Sequence, residues 1–281
     1  MRVPRTPLFV SAMSQPNPTP RQRPRVAVWA DPASQALGAL ASGVVGGETV
    51  TVHPSAALAA LTSGEADLVL VPSLTALREP PGVVLAPGVG LVGEATPTRV
   101  LAVGVPLDEV KTVAVDPRWA QEAVLAQLVL REHYGVRPAF VPVADDGDAA
   151  ALVTAHGAAL VAPEASGDAA SGAALPASAA RLDLAREWAD LTLRPMVWGL
   201  LAGRRGGALT PETARALAEA AATAPDPTGD GLYQLSLTGL GYAGLEALAD
   251  HLFYTGTLSG IPELPFIRAA DDESQGAVGD A

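Results

Sequence analysis

The stretch Val110-Lys111-Thr112-Val113-Ala114-Val115-Asp116-Pro117-Arg118-Trp119-Ala120-Gln121 decides how this chain is interpreted. Its apolar, β-branched run at 112–115 predicts a buried strand. Asp116 and Pro117 then predict the start of a helix. Asp is a preferred N-cap, and Pro has no N–H to lose at the first helical position. The spacing of the apolar residues that follow predicts that this helix runs over 121–134.

A strand that leads directly into a helix places unpaired backbone N–H groups above the strand, where they favour an anion. The guanidinium of Arg118 can add a pair of charged hydrogen bonds to a carboxylate or a phosphate. Trp119 beside it can supply a stacking face or part of the core. We therefore expect Arg118, Trp119 and Gln121 to bind a substrate. The alternative is an ordinary strand-to-helix junction with Arg118 in solvent.

Composition restricts the classes of protein that fit. A chain of 281 residues can bury a sizeable core, in one large domain or in two lobes. Its 49% hydrophobic and 17% charged residues indicate a globular interior rather than a disordered chain. The formal net charge of −12 repels a phosphate backbone, so we expect no nucleic-acid partner. A small anionic ligand remains compatible, because a few local arginines can override the overall field.

The sequence also argues against several kinds of binding site and against a membrane-bound or secreted location. The chain has no cysteine and four scattered histidines, so it lacks disulfides and thiolate metal sites, and we expect no metal. No long apolar run predicts a membrane span. The apolar core Leu8-Phe9-Val10 is too short for a signal peptide. We expect a cytoplasmic protein with no membrane partner, and the pattern predicts no particular oligomeric state.

Four apolar runs predict strands early in the chain, and the short helices between the first three predict a parallel, doubly wound layer. Ligands of such sheets bind beyond the carboxyl ends of the strands. The candidate rim residues at these ends are Asp31, Ser34, Ser73 and Thr75. Each could instead be an ordinary turn or cap residue. The predicted strands cover residues 25–29, 49–52, 67–71 and 83–86.

The run Gly88-Val89-Gly90-Leu91-Val92-Gly93 has the G-x-G-x-x-G spacing of a dinucleotide-binding loop. The next segment, Glu94–Arg99, contains Pro97 and predicts no helix, although that motif needs a helix to hold the pyrophosphate. We therefore interpret the run as a flexible, glycine-rich crossing between two lobes.

The remaining chain alternates strand and helix patterns up to residue 161, and the Ala/Ser/Gly-rich segment 164–180 predicts a loop. The last clear elements are an amphipathic helix, a buried strand and two further helices, over 182–191, 195–202, 210–223 and 241–255.

These patterns predict two lobes and a disordered segment at each end of the sequence. Lobe I is discontinuous and comprises 25–96 and 194–268, and lobe II comprises 97–193. The end segments 1–24 and 269–281 are polar or of low complexity, and we expect both to be disordered.

Three segments carry a resemblance to a known family. Leu61–Ser73 is similar to an L-x-x-G-x-x-D element that ends in P-S. Val113–Asp116 and the helix after it are similar to a second-lobe strand and its anion-facing helix. Leu182–Leu200 is similar to a D-L-x-x-x-W-x-x-x-T-G-x-P-F-V signature. Together they resemble the menaquinone-biosynthesis family of the futalosine pathway, over about Arg25–Arg268.

The resemblance implies a two-lobed α/β fold of the periplasmic-binding-protein type II kind. That fold has mixed, mostly parallel sheets flanked by helices and a ligand cleft between the lobes. Family members of this type are chorismate dehydratases, which convert chorismate to 3-[(1-carboxyvinyl)oxy]benzoate without a cofactor. The resemblance therefore implies a lyase that needs no cofactor and binds a small anionic carboxylate.

Four positions depart from the family pattern and make this chain a divergent member. The asparagine turn after the first strand is Asp31-Pro32. The hydroxyl-rich S-R-T-S turn is Pro117–Ala120. The later I-G-D is Val161–Pro163, and the glycine of the signature is Leu193. We still expect the fold of the family, because that expectation rests on the spacing and apolar pattern of the matched segments.

Two functions therefore stay open. In a chorismate dehydratase-like lyase, Asp31 and Ser34 would act in catalysis, and Ser73 and Thr75 would hold one carboxylate. The helix end with Arg118 would hold the other carboxylate. The alternative is a non-catalytic paralogue that binds a small carboxylate.

Overall fold

The computed structural model describes residues 23–143, 148–161 and 178–268. Within these ranges two mixed β-sheets are flanked by helices, which confirms the predicted two-lobed α/β class. Apart from residues 23 and 24, the ends predicted to be disordered, 1–24 and 269–281, lie outside the described residues.

The described residues form strands and helices in the following order. The strands are β1 (Arg25–Val28), β2 (Glu48–Thr51), β3 (Leu68–Pro72), β4 (Val83–Gly93), β5 (Val100–Val103), β6 (Thr112–Val115), β7 (Ala139–Pro142), β8 (Gly157–Val161), β9 (Ala180–Asp183), β10 (Met196–Arg204) and β11 (Tyr233–Ser236). The helices are α1 (Pro32–Val45), α2 (Ala57–Ser63), α3 (Ser73–Ala76), α4 (Ala120–Glu132), α5 (Ala149–His156), α6 (Leu184–Thr192), α7 (Pro211–Thr223) and α8 (Gly239–Tyr254).

The first sheet has six strands in the order β11-β4-β10-β3-β1-β2. Strand β1 is parallel to β2 and β3, as the alternation of strands and helices predicts. Strand β10 returns from far along the chain and runs antiparallel between β3 and β4. Strand β11 is antiparallel to β4, so two of the five strand pairs in this sheet are parallel and three are antiparallel.

The second sheet has five strands in the order β7-β6-β8-β5-β9. Strand β6 is parallel to β7 and β8, whereas β5 is antiparallel to β8 and β9. Both sheets are mixed, as predicted, but parallel pairs do not dominate in either. The predicted lobe boundaries remain a proposal, which limited proteolysis at the two links between the sheets can test.

The interpretation of Gly88–Gly93 as a flexible crossing is wrong. The run forms the second half of β4, with β10 and β11 bonded along its two edges. A Cβ atom on Gly90 would lie 3.0 Å from the carbonyl oxygen of Gly199, and one on Gly93 would lie 2.9 Å from that of Leu232. Glycine fits here because neighbouring backbone approaches closely, which outweighs its low strand propensity.

Two helices begin later in the chain than the sequence pattern predicts. The helix predicted at Asp116 is preceded by a 3-10 turn over Pro117–Trp119, so α4 begins at Ala120. The helix predicted over 182–191 begins at Leu184, because the residues before it extend as β9. Most of the predicted loop before β9 lies outside the described residues.

The core follows the apolar runs of the sequence. Strand β3 is buried along its whole length, and β10 is buried from Met196 to Gly203. Across the described ranges, no helix is long and apolar enough to cross a membrane.

Candidate functional site

A cavity of about 60 Å³ lies where the carboxyl ends of β1 and β3 face the start of α4. This edge is where sheets of this kind bind ligands. Trp29 and Pro72, at the ends of the two strands, form part of its wall. The polar residues of the wall are Ser55, Thr75, Arg78, Arg118, Gln121 and Glu122.

The structure brings three of the predicted binding residues together at this cavity, namely Thr75, Arg118 and Gln121. Trp119 is buried beside it and packs edge-on against the ring of His53, with the ring centroids 4.7 Å apart. Ser73 is fully buried behind the wall, and its Oγ has no hydrogen-bond partner.

Arg118 is held by the side chain that caps its own turn. The guanidinium donates from Nε and Nη2 to Oδ2 of Asp116, at 2.8 and 2.6 Å. Burial raises the pKa of Asp116, but the hydrogen bonds and charge of Arg118 outweigh it, so that pKa lies below its ordinary value. Arg118 remains 43% exposed and can turn towards an anion in the cavity.

Gln121 joins the two sheets through two buried hydrogen bonds. Its Oε1 accepts from the backbone N–H of Leu74 at 2.8 Å, next to β3 of the first sheet. Its Nε2 donates to the carbonyl oxygen of Trp198 in β10 at 2.7 Å. The amide is therefore structural in this state, because both of its polar atoms are satisfied by backbone.

Asp31 and Ser34, predicted to be catalytic, lie behind the cavity rather than on its wall. Asp31 caps α1 by accepting from the backbone N–H of Ser34 at 3.0 Å and from its Oγ at 2.7 Å. Both residues are buried, and Asp31 also accepts from Arg99 at 3.2 Å. Its carboxylate is thus surrounded by donors.

Arg99 is the centre of the interior between the sheets, although the sequence interpretation missed it. Its side chain has no exposed surface and sits just before β5. It donates to Asp31 and Glu122, each at 3.2 Å, and to the hydroxyl of Tyr233 at 3.3 Å. The ring of Trp198 lies 4.7 Å from its guanidinium carbon. Four side chains thus hold one cation.

The guanidinium of Arg99 stays charged despite its burial. Burial alone would lower its pKa, but the charge of Asp31 and the nearby Tyr233 and Glu122 raise it further above its ordinary value. The resulting network joins elements of both sheets. Asp31 caps α1 beside the first sheet and Tyr233 lies in its strand β11, whereas Arg99 precedes β5 of the second sheet and Glu122 lies in α4, which follows β6.

Glu122 is the second functional candidate that the sequence interpretation missed. It lies in the first turn of α4, is buried, and reaches the cavity wall. Burial raises its pKa, and Arg99 offsets this only in part. The available signal was its spacing, because Glu122, Leu125 and Val129 share the buried face of α4. A charged residue on such a face needs a partner.

Metal ions in proteins are held by clusters of side chains such as His, Cys, Asp and Glu. Across residues 23–143, 148–161 and 178–268, no cluster of three or more His, Cys, Asp or Glu side chains could hold a metal ion.

Solved structures share this fold at low sequence identity. The protein AF1704 from Archaeoglobus fulgidus is similar with a TM-score of 0.55 and 18% identity, over 83% of this chain and 98% of that chain. An ABC transporter protein from Parabacteroides distasonis has a TM-score of 0.55 and 14% identity, over 89% and 99%. The alkanesulfonate-binding protein SsuA from Xanthomonas axonopodis has a TM-score of 0.53 and 17% identity, over 88% and 98%.

Sequence comparison gives the family. No curated protein sequence matches the chain significantly. A family model described as menaquinone biosynthesis matches residues 32–228, which include Ser34, the polar residues of the cavity wall and Arg99. This match spans more than half of the chain. The chain therefore belongs to the menaquinone biosynthesis family.

Proposed function

We propose that this chain is a chorismate dehydratase-like lyase of menaquinone biosynthesis, which converts chorismate to 3-[(1-carboxyvinyl)oxy]benzoate. One observation carries the proposal beyond the family. Two arginines, Arg78 and Arg118, share the cavity wall with the hydroxyl residues Ser55 and Thr75. Chorismate has two carboxylates, and a guanidinium with a nearby hydroxyl is well suited to bind each of them.

The proposal requires the lobes to part. The cavity of about 60 Å³ is far smaller than the roughly 300–1,000 Å³ of typical small-molecule pockets. Hinged lobes that close around a ligand are a common device in folds of this architecture. We therefore take the described arrangement as the closed state, from which Arg118 and Thr75 separate when substrate enters.

The predicted roles of Asp31 and Ser34 remain part of the proposal. In the closed state Asp31 is engaged by Arg99 and by Ser34. It can take up a proton from substrate only if opening frees it from Arg99. The predicted binding roles of Ser73 and Trp119 likewise depend on opening, because both are buried here. The cytoplasmic location also remains a prediction.

The second candidate is a non-catalytic paralogue that binds the same class of ligand. The observation in its favour is that both buried carboxyl groups near the cavity, Asp31 and Glu122, are ion-paired with Arg99. If these ion pairs keep both carboxylates from accepting a proton, the site binds an anion without catalysing its dehydration.

Incubation of the purified chain with chorismate distinguishes these functions. The lyase predicts a product lighter than chorismate by one water, identified by mass spectrometry against authentic 3-[(1-carboxyvinyl)oxy]benzoate. Thermal stabilisation by chorismate without any product would establish the binding paralogue instead. Neither stabilisation nor turnover would contradict both.

A further inference from the structure

Among the described residues that line the cavity, Glu122 is the one with an acidic side chain. The residue is only 3% exposed, so its carboxyl group is shielded from bulk water. It projects from the first turn of α4, where the helix end favours a negative charge. The cavity wall therefore contains one acid–base group among cations, hydroxyls and an amide.

The surroundings of Glu122 differ from those of Asp31. Asp31 accepts two hydrogen bonds from Ser34 and one from Arg99, and it does not reach the cavity wall. The ion pair of Glu122 is formed by Oε1 with Nε of Arg99, at 3.2 Å. Glu122 thus combines a fixed position with access to the cavity.

Removal of water from chorismate requires one group that accepts a proton and one that returns it. We propose, on the basis of the dehydratase function above, that Glu122 is the catalytic proton-transfer residue of this site. Arg99 is its positioning residue, because it holds Oε1 without itself lining the cavity.

The proposed step balances without any further reactant. The carboxylate of Glu122 takes the proton from the ring carbon that bears the enolpyruvyl ether oxygen. The electron pair of that C–H bond becomes the new ring double bond, and the C–O bond to the neighbouring hydroxyl breaks. The departing hydroxide receives the proton from the Glu122 acid and leaves as water, so that Glu122 returns to its starting form.

The environment of Glu122 suits both halves of this step. Burial raises the pKa of Glu122 above the ordinary value of a glutamate. The acid form that protonates the leaving group is therefore more readily reached near neutral pH than in an exposed carboxyl group. The charged and titratable groups that face the same interior are Arg99, Asp31 and Tyr233, with Arg78 and Arg118 across the cavity. Arg99 opposes this rise and keeps the carboxylate form accessible, as the proton-accepting half requires.

Steady-state kinetics of Glu122→Gln and Glu122→Asp test the proposal in the full-length chain, with chorismate as substrate. Glu122→Gln keeps the size and a hydrogen bond but cannot accept the proton. We expect kcat to fall at least thirtyfold, with KM for chorismate changed less than threefold. We expect Glu122→Asp, which withdraws the carboxyl by one methylene, to retain more activity than Gln but less than one tenth of the parent kcat.

Glu132→Gln is the matched control, because it makes the same change at the exposed end of the same helix and lies off the cavity wall. It should keep kcat within threefold. A fall of less than thirtyfold for Glu122→Gln would overturn the proposal, as would equal losses in all three variants. If the Gln variant does not fold, a parent-like kcat in Glu122→Asp would overturn it. If the unmodified protein shows no turnover, the dehydratase function and this inference are both contradicted. If the unmodified protein turns over chorismate and turnover survives Glu122→Gln, only the inference is contradicted.

Discussion

Atom Nη2 of Arg99 lies 3.2 Å from Oδ2 of Asp31, and the two side chains are 0% and 4% exposed. Arg99 leads into the second sheet, and Asp31 caps the first helix of the first sheet. This buried pair therefore ties the two sheets together across the candidate site, and its loss should affect the whole molecule.

Arg99→Met should strongly destabilise the protein. It leaves Asp31 and Glu122 buried without their cation, and removing one partner from a buried pair costs about 3–5 kcal/mol. Urea unfolding followed by tryptophan fluorescence measures the free energy of unfolding. Arg137→Met is the control, because Arg137 is exposed. A loss below about 1 kcal/mol would mean that Arg99 is not needed to neutralise these carboxylates.

Gln121→Ala should also destabilise the closed arrangement. The change leaves the N–H of Leu74 and the carbonyl of Trp198 without their partner, at about 1–3 kcal/mol for each buried group. The same unfolding measurement applies. Gln127→Ala, on the exposed face of the same helix, should change stability by less than about 0.5 kcal/mol. Equal effects of the two changes would contradict the bridging role of Gln121.

Leu193→Gly should stabilise the protein. Leu193 ends α6 with φ of +57°, in the left-handed region, and its side chain is 80% exposed. Relief of that backbone cost should exceed the small contact loss, for a gain of about 0.5–1 kcal/mol. Gly46, which ends α1 with φ of +65° and has open space around it, gives the reverse test. Gly46→Ala should destabilise, and a destabilising Leu193→Gly would show that Leu193 makes an unrecognised contact.

Arg118→Ala should weaken ligand binding and leave folding nearly unchanged. We expect the Kd for chorismate to rise more than tenfold, which corresponds to about 1.4 kcal/mol. Stability should change by less than about 1 kcal/mol, because the pair with Asp116 is partly exposed. Calorimetric titration measures the affinity, with Arg137→Ala as the control. An unchanged affinity would make Arg118 a surface residue with no role in binding.

Much of the fold could be predicted because local signals agree with it. The apolar run of β3 predicts a strand buried on both faces, and Asp31 and Thr210 before prolines mark the starts of α1 and α7. The glycine-rich half of β4 could not be recognised in this way. Its place depends on how closely Gly199 and Leu232 approach, and these lie more than a hundred residues further along the chain.

The candidate site was only partly predictable for a related reason. Thr75, Arg118 and Gln121 stand at strand and helix ends, where the local pattern indicates an anion-facing edge, and they do line the cavity. Arg99 stands before an apolar strand with no local partner. Its contacts with Asp31 and Tyr233 are 68 and 134 residues away, so only the folded arrangement reveals the network.

The most direct test of the dehydratase function is the fate of chorismate in the presence of the purified, folded chain. We predict that 3-[(1-carboxyvinyl)oxy]benzoate appears in step with the loss of chorismate, over many turnovers and without added cofactor. Chorismate that stays unconverted, beyond its spontaneous decay in a protein-free control, would contradict the dehydratase function.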